Sequence, residues 1–166
     1  MNALPDILAR AVRWLLLAPL LALAACGPGT GGTGTGPING VFNFAGSGFS
    51  AGAPCTNCGQ ANLQLDNERV EMTISCRRFI HTAPWEIDAD GLAVVNGAFE
   101  TTEFVDGVAQ VRSVPAVMQL QFSEARADSH EVAITVRDAN GNHLVAPLTL
   151  EQRPVAASPE ACAPGG

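Results

Sequence analysis

"LQLDNERVEMTISC", residues 63 to 76, decides the fold. Leu63 and Leu65 alternate with polar residues, Asp66-Asn67 makes a turn, and Val70, Met72, Ile74 and Cys76 carry one face onward. Successive side chains of a strand point to opposite sides, so this stretch predicts two strands with one face dry and the other wet.

The same pattern recurs on either side. "INGVFNF" (Ile38 to Phe44) lies upstream; "GLAVVNGAF" (Gly91 to Phe99), "VAQVRS" (Val108 to Ser113) and "VMQLQF" (Val117 to Phe122) lie downstream. In the clearest hairpin Val132, Ile134 and Val136 share a face, Asp138-Ala139-Asn140-Gly141 turns, and Leu144, Ala146, Leu148 and Leu150 return. No stretch holds a long apolar period of 3.6 residues. The expected fold is all-β: a small antiparallel barrel or sandwich of about eight strands over residues 38–153. Residues 154–166, rich in Pro, Ala and Gly, are expected to form a loose tail held by Cys162.

The N-terminus has the three parts of an export signal. Arg10 and Arg13 supply positive charge, Trp14 to Leu23 an apolar run, and Ala24 and Ala25 the small residues of a cleavage site. That run is too short for a bilayer core, which takes about 20 helical residues. Leu23-Ala24-Ala25-Cys26 resembles the lipobox of bacterial lipoproteins. The resemblance implies a signal peptide over residues 1–25, cleavage before Cys26, a diacylglyceryl group on its sulfur and a fatty acyl chain such as palmitate on the new amino group. It makes the lipid bilayer, met through Cys26, the first partner. Residues 26–37 then form a tether of about 18 Å reach. By the same resemblance, Gly27 where a retention signal would show aspartate implies the outer membrane, on its periplasmic face or at the cell surface.

Charge and composition exclude several classes of function. Acidic residues number 16 against 9 basic ones, and every basic residue is arginine. No basic stripe exists to neutralise phosphates, so no nucleic acid is expected as a partner. Without lysine there is neither a Walker-type phosphate loop nor a Schiff base.

Five cysteines are an odd number for an exported chain. Lipidation of Cys26 leaves Cys55, Cys58, Cys76 and Cys162, an even set that reads as two disulfides in an oxidising compartment. Cys55 with Cys58 and Cys76 with Cys162 is the preferred pairing of three. The Cys55-Thr56-Asn57-Cys58 motif also admits a redox couple or half of a metal site. A redox couple would open a helix, whereas "GQANLQL" after Cys58 reads as a strand. A zinc site would need Cys76 and His81 as its second pair, at a spacing matching no common finger.

"GVFNFAGSGFSAGAPCTNCGQANLQL" (Gly40 to Leu65) resembles the start of the N-terminal domain of NlpE-type copper-homeostasis and envelope-stress lipoproteins, through Gly40-Val41-Phe42 and Pro54-Cys55-Thr56-Asn57-Cys58. It implies a small lipocalin-like barrel and, at one remove, copper handling. Nothing downstream continues the match, and Cys162 has no place in that pattern.

The other candidates have ordinary readings. "DADG" (Asp88 to Gly91) and "DANG" (Asp138 to Gly141) lack the glutamate that closes a calcium loop, since Phe99 and Thr149 stand there, and read as Asx-Gly turns. His81, His130 and His143 read as solvated surface residues. "GSGFS" (Gly46 to Ser50) is not a nucleophile elbow, because Ala45 replaces its first glycine. Glu100 and Glu103 read as a wet strand edge, and Trp85 as core or as a plug at a barrel mouth. No catalytic residue and no cofactor is expected. The expected function is a non-enzymatic outer-membrane lipoprotein whose β domain binds or supports an envelope protein. The alternative is a periplasmic binding module for a copper-like metal ion or a small apolar ligand.

Overall fold

Among the described residues every strand pairs antiparallel with the next, and the last returns to the first, so the sheet closes into a barrel. In chain order the strands are β1 (Phe42–Ser47), β2 (Gln60–Asp66), β3 (Arg69–Ile74), β4 (Arg77–His81), β5 (Leu92–Val105), β6 (Val108–Phe122), β7 (Glu131–Asp138) and β8 (His143–Arg153). The computed structural model describes residues 40–47, 49, 59–156 and 162. All lie in the second of two units, 34–166, into which the chain divides. The expected signal peptide, Cys26, the expected tether, Cys55 and Cys58 fall outside the described residues.

The alternation at 63–76 becomes the β2–β3 hairpin, with Leu63 opposite Met72 and Leu65 opposite Val70. All four are buried, while Gln64 and Glu71 between them face outward. The strand count matches the expectation of about eight, but through two differences that offset each other. Cys76 does not continue β3: Ser75, at φ 49°, turns the chain, and Arg77–His81 forms a strand of its own. "VAQVRS" and "VMQLQF" are one strand, because Pro115 pairs with Ala98 without breaking the register. A proline is tolerated where its missing N–H faces no ladder partner, and β7 joins β6 only from Ala116.

The final hairpin also departs from simple alternation. Ile134 pairs with Leu148 and Val136 with Val145, so β8 carries one residue more than β7 over this step. This bulge shifts the phase: Val145 is buried, and Leu144 and Ala146 are only partly so. Pro147 stands exposed within it.

Each strand sends apolar side chains inward, among them Phe44, Leu63, Met72, Phe79, Met118 and Leu150, all fully buried. Eight strands enclose a space that side chains alone can fill, and here they do. One end is sealed by Trp85 and Ile87 from the β4–β5 connection and by Ala127 and Ser129 from the β6–β7 connection. The Trp85 indole stacks near Phe122, 6.4 Å between centroids, and Phe122 meets Phe44 edge-on. Trp85 is thus the expected plug. Gly97 permits the close approach of β4 and β5: a Cβ there would stand 2.3 Å from the Ile80 carbonyl oxygen and 2.7 Å from the Phe79 ring.

Two features outside the core matter below. Among the described residues the β1–β8 seam holds Asn43↔Arg153, Phe44↔Gln152 and Ala45↔Glu151 alone. β5 and β6 instead run on past their neighbours as a two-stranded ribbon, paired from Leu92↔Gln121 to Val105↔Val108.

Candidate functional site

The outer face of β1, β2 and β3 forms a concave surface lined largely by polar side chains. The period of two along each strand puts Asn43, Asn62, Gln64, Glu71 and Thr73 on this face, and Ala156, beyond β8, lies against them. The Asn43 side-chain oxygen and both polar atoms of the Asn62 amide are buried with no hydrogen-bond partner among the described residues. A buried amide without partners costs about 1–3 kcal/mol, so such groups are uncommon in folded proteins. Period two could have placed these residues on one face; only the tertiary structure buries them.

Beside this groove lies a ladder of charges. Glu71 pairs with Arg69 on its own strand and with Arg78 on β4, and Arg78 pairs with Glu100 on β5 at 3.0 Å. The two arginine side chains are more than two-fifths exposed, so screening leaves each pair worth well under about 1 kcal/mol. Glu100 and Glu103 stand on opposite faces of β5, which rules out their acting as a carboxylate pair.

Cys76 and Cys162 are joined by a disulfide across a sequence separation of 86. This is the pairing preferred from the sequence, and it removes Cys76 from any zinc site with His81. The bridge fixes Cys162, which follows β8 in the chain, at the β3–β4 turn. Of the tail, residues 157–161 and 163–166 lie outside the described residues.

The histidines do not all match their expectation. His130 and His143 are exposed. His81 is half-buried: its Nδ1 donates to the Asn96 carbonyl oxygen at 2.7 Å, while Nε2 is buried with no partner among the described residues. Its position explains the difference, because Arg77, Phe79 and His81 share the inward face of β4.

Both acidic turns are Asx-Gly turns. Asp88 Oδ1 accepts from the backbone N–H groups of Asp90 and Leu92, and Asp138 Oδ1 from those of Asn140 and Asn142. Gly91 and Gly141 follow at φ 78° and 84°, a conformation that favours glycine. Hydrogen bonds from the Asn142 side chain and backbone, then from Asn140, hold the Asp138 carboxyl below the usual carboxylate range. These oxygens are committed to the turn, and among the described residues no three His, Cys, Asp or Glu side chains converge as a metal would need.

Of "GSGFS", Gly46 and Ser47 end β1 and Phe49 packs beside Gly46 and Leu150; Gly48 and Ser50 lie outside the described residues. Among the described residues no hydroxyl is hydrogen-bonded to a histidine or carboxylate side chain that could activate it. The surface therefore offers hydrogen-bonding amides, a charge ladder and a protruding ribbon. No protein-family model matches the chain, and neither a curated protein nor a solved structure matches it.

Proposed function

We propose that this chain is a lipid-anchored protein of the bacterial outer membrane, held by acylated Cys26, whose non-enzymatic barrel binds or supports a protein of the envelope. The observation that carries this reading is the packed interior. Phe44, Phe79, Met72, Met118 and their neighbours occupy the space that a ligand-carrying barrel of this size would leave open. What the domain offers to others then lies on its outer faces. The Cys76–Cys162 bridge supports an oxidising compartment, because disulfides persist outside the cytosol.

The test is intact-mass spectrometry of the native membrane fraction. The expected product begins at Cys26 and carries three acyl chains, and Cys26→Ser leaves the membrane fraction. An unprocessed leader or an unmodified sulfur overturns the anchor. Thiol titration with metal analysis tests the domain's role. Cys55, Cys58, Cys76 and Cys162 all blocked with no metal bound is the expected result. Copper or zinc held after reduction, and lost in Cys55→Ser/Cys58→Ser, would make the domain a metal-binding module instead.

A further inference from the structure

The ribbon formed by the far halves of β5 and β6 has one open edge, and its hydrogen-bonding phase can be read from two backbone contacts. Thr102 N–H donates to the Cys76 carbonyl, away from β6, and Phe122 N–H donates to the Gly91 carbonyl, toward β5. The register between the strands has no shift from Leu92↔Gln121 to Val105↔Val108. In an antiparallel ladder the N–H and C=O of one residue point to the same side, and the side alternates along the strand. Even-numbered residues of β6 therefore bond to β5, and odd-numbered ones point away from it.

From Ala116 onward those odd-numbered groups meet β7. Before Ala116, the N–H and C=O of Ala109, Val111 and Ser113 point into an edge that no described strand covers. Residues 108–113 are all exposed, Val108 at 63% and Val111 at 64%. Pro115 has the same phase but no N–H, so it blunts the edge where it meets β7. The open stretch runs from Val108, just after the Asp106-Gly107 turn, to Val114, and its midpoint is Val111.

We propose that this edge pairs antiparallel with the same edge of a second copy of the chain, about a two-fold axis through Val111. The register is self-complementary. Val111 meets Val111, Ala109 meets Ser113, Gln110 meets Arg112, and Val108 meets Val114. All three outward-pointing residues then exchange both N–H···O bonds with their opposites, the isologous arrangement that a two-fold axis requires. Moving the axis to residue 112 would set Arg112 against Arg112 and Ala109 against Pro115, which has no N–H to give. Moving it to residue 110 would leave Ser113 opposite the Gly107 turn. The free edge is also the right length, because the tip turn of one copy ends beside Pro115 of the other. A strand edge this short makes a small interface, so the dimer is concentration-dependent. The pairing does not depend on the lipid anchor.

The experiment is the mass of the full chain in detergent by light scattering over a concentration series, alongside Val111→Pro and Val111→Cys. The chain is expected to approach twice its monomer mass. Val111→Pro removes only outward N–H groups, as Pro115 already does in the same strand, and is expected to weaken association by about tenfold or more. In Val111→Cys, added oxidised glutathione should join the two copies through position 111, since a hydrogen-bonded antiparallel pair has a Cα spacing of about 5.5 Å, within disulfide range. Glu103→Cys, on β5 and away from the edge, should not cross-link. A monomer at every concentration, or equal cross-linking at positions 103 and 111, overturns the proposal. If Val111→Pro does not fold, the cysteine pair decides alone.

Discussion

The indole nitrogen of Trp85 donates a 2.7 Å hydrogen bond to the carbonyl oxygen of Asp66, tying the β4–β5 connection to the β2–β3 turn across one mouth of the barrel. A large apolar ring and a single polar bond thus act at the same place, and substitution can separate them. Trp85→Phe keeps most of the plug and leaves the Asp66 carbonyl without its donor, an expected loss of about 1–2 kcal/mol. Trp85→Ala opens the mouth and is expected to lose about 3–5 kcal/mol. Urea unfolding of both variants checks this: no loss in Trp85→Phe would mean that the hydrogen bond adds nothing, and equal losses in the two would mean that the ring adds nothing.

Gly97 answers a different constraint, the contact of β4 with β5. Gly97→Ala must push its methyl against the Ile80 carbonyl, and backbone cannot move aside as a flexible side chain would. The expected cost is about 1–3 kcal/mol, read as a lowered melting temperature. Ala98→Gly, one residue on and with its side chain on the other face, should cost no more than about 1 kcal/mol.

Reduction of the Cys76–Cys162 bridge frees the tail and releases a closed loop with a sequence separation of 86. Chain entropy for a loop of that size amounts to about 4.6 kcal/mol, and measured disulfides commonly give about 2–4. Cys162→Ser should therefore lower the unfolding free energy by that order, read as an earlier midpoint in denaturant. The barrel should still form, because its ladders do not involve the bridge. Hydrogen exchange should show the β1–β8 pairs opening first.

Asp138 links the β7–β8 turn to pH. Its folded-state pKa lies below the ordinary value, so its contribution is complete above the ordinary carboxylate range and is lost as pH falls through the folded value. The melting temperature should therefore fall with acidification, and part of that slope should vanish in Asp138→Asn. An unchanged slope in the variant would assign the acid sensitivity to other carboxylates.

What the sequence determined by itself was the kind of element and its dry face. Period-two patterns at Leu63/Leu65, Val70/Met72/Ile74 and Val132/Ile134/Val136 place these residues inside, as the barrel does. The Asx-Gly turns were equally plain, because a turn's chemistry is local. The tertiary structure alone decided where pairing continues or stops. Ser75 turns the chain before Cys76, Pro115 leaves β6 whole, and the bulge near Pro147 moves Val145 inside; each depends on the partner strand. The same is true of the candidate surfaces. Whether the Asn62 amide is buried, or the edge at Val111 is open, is fixed by neighbours distant in the chain, which no local pattern records.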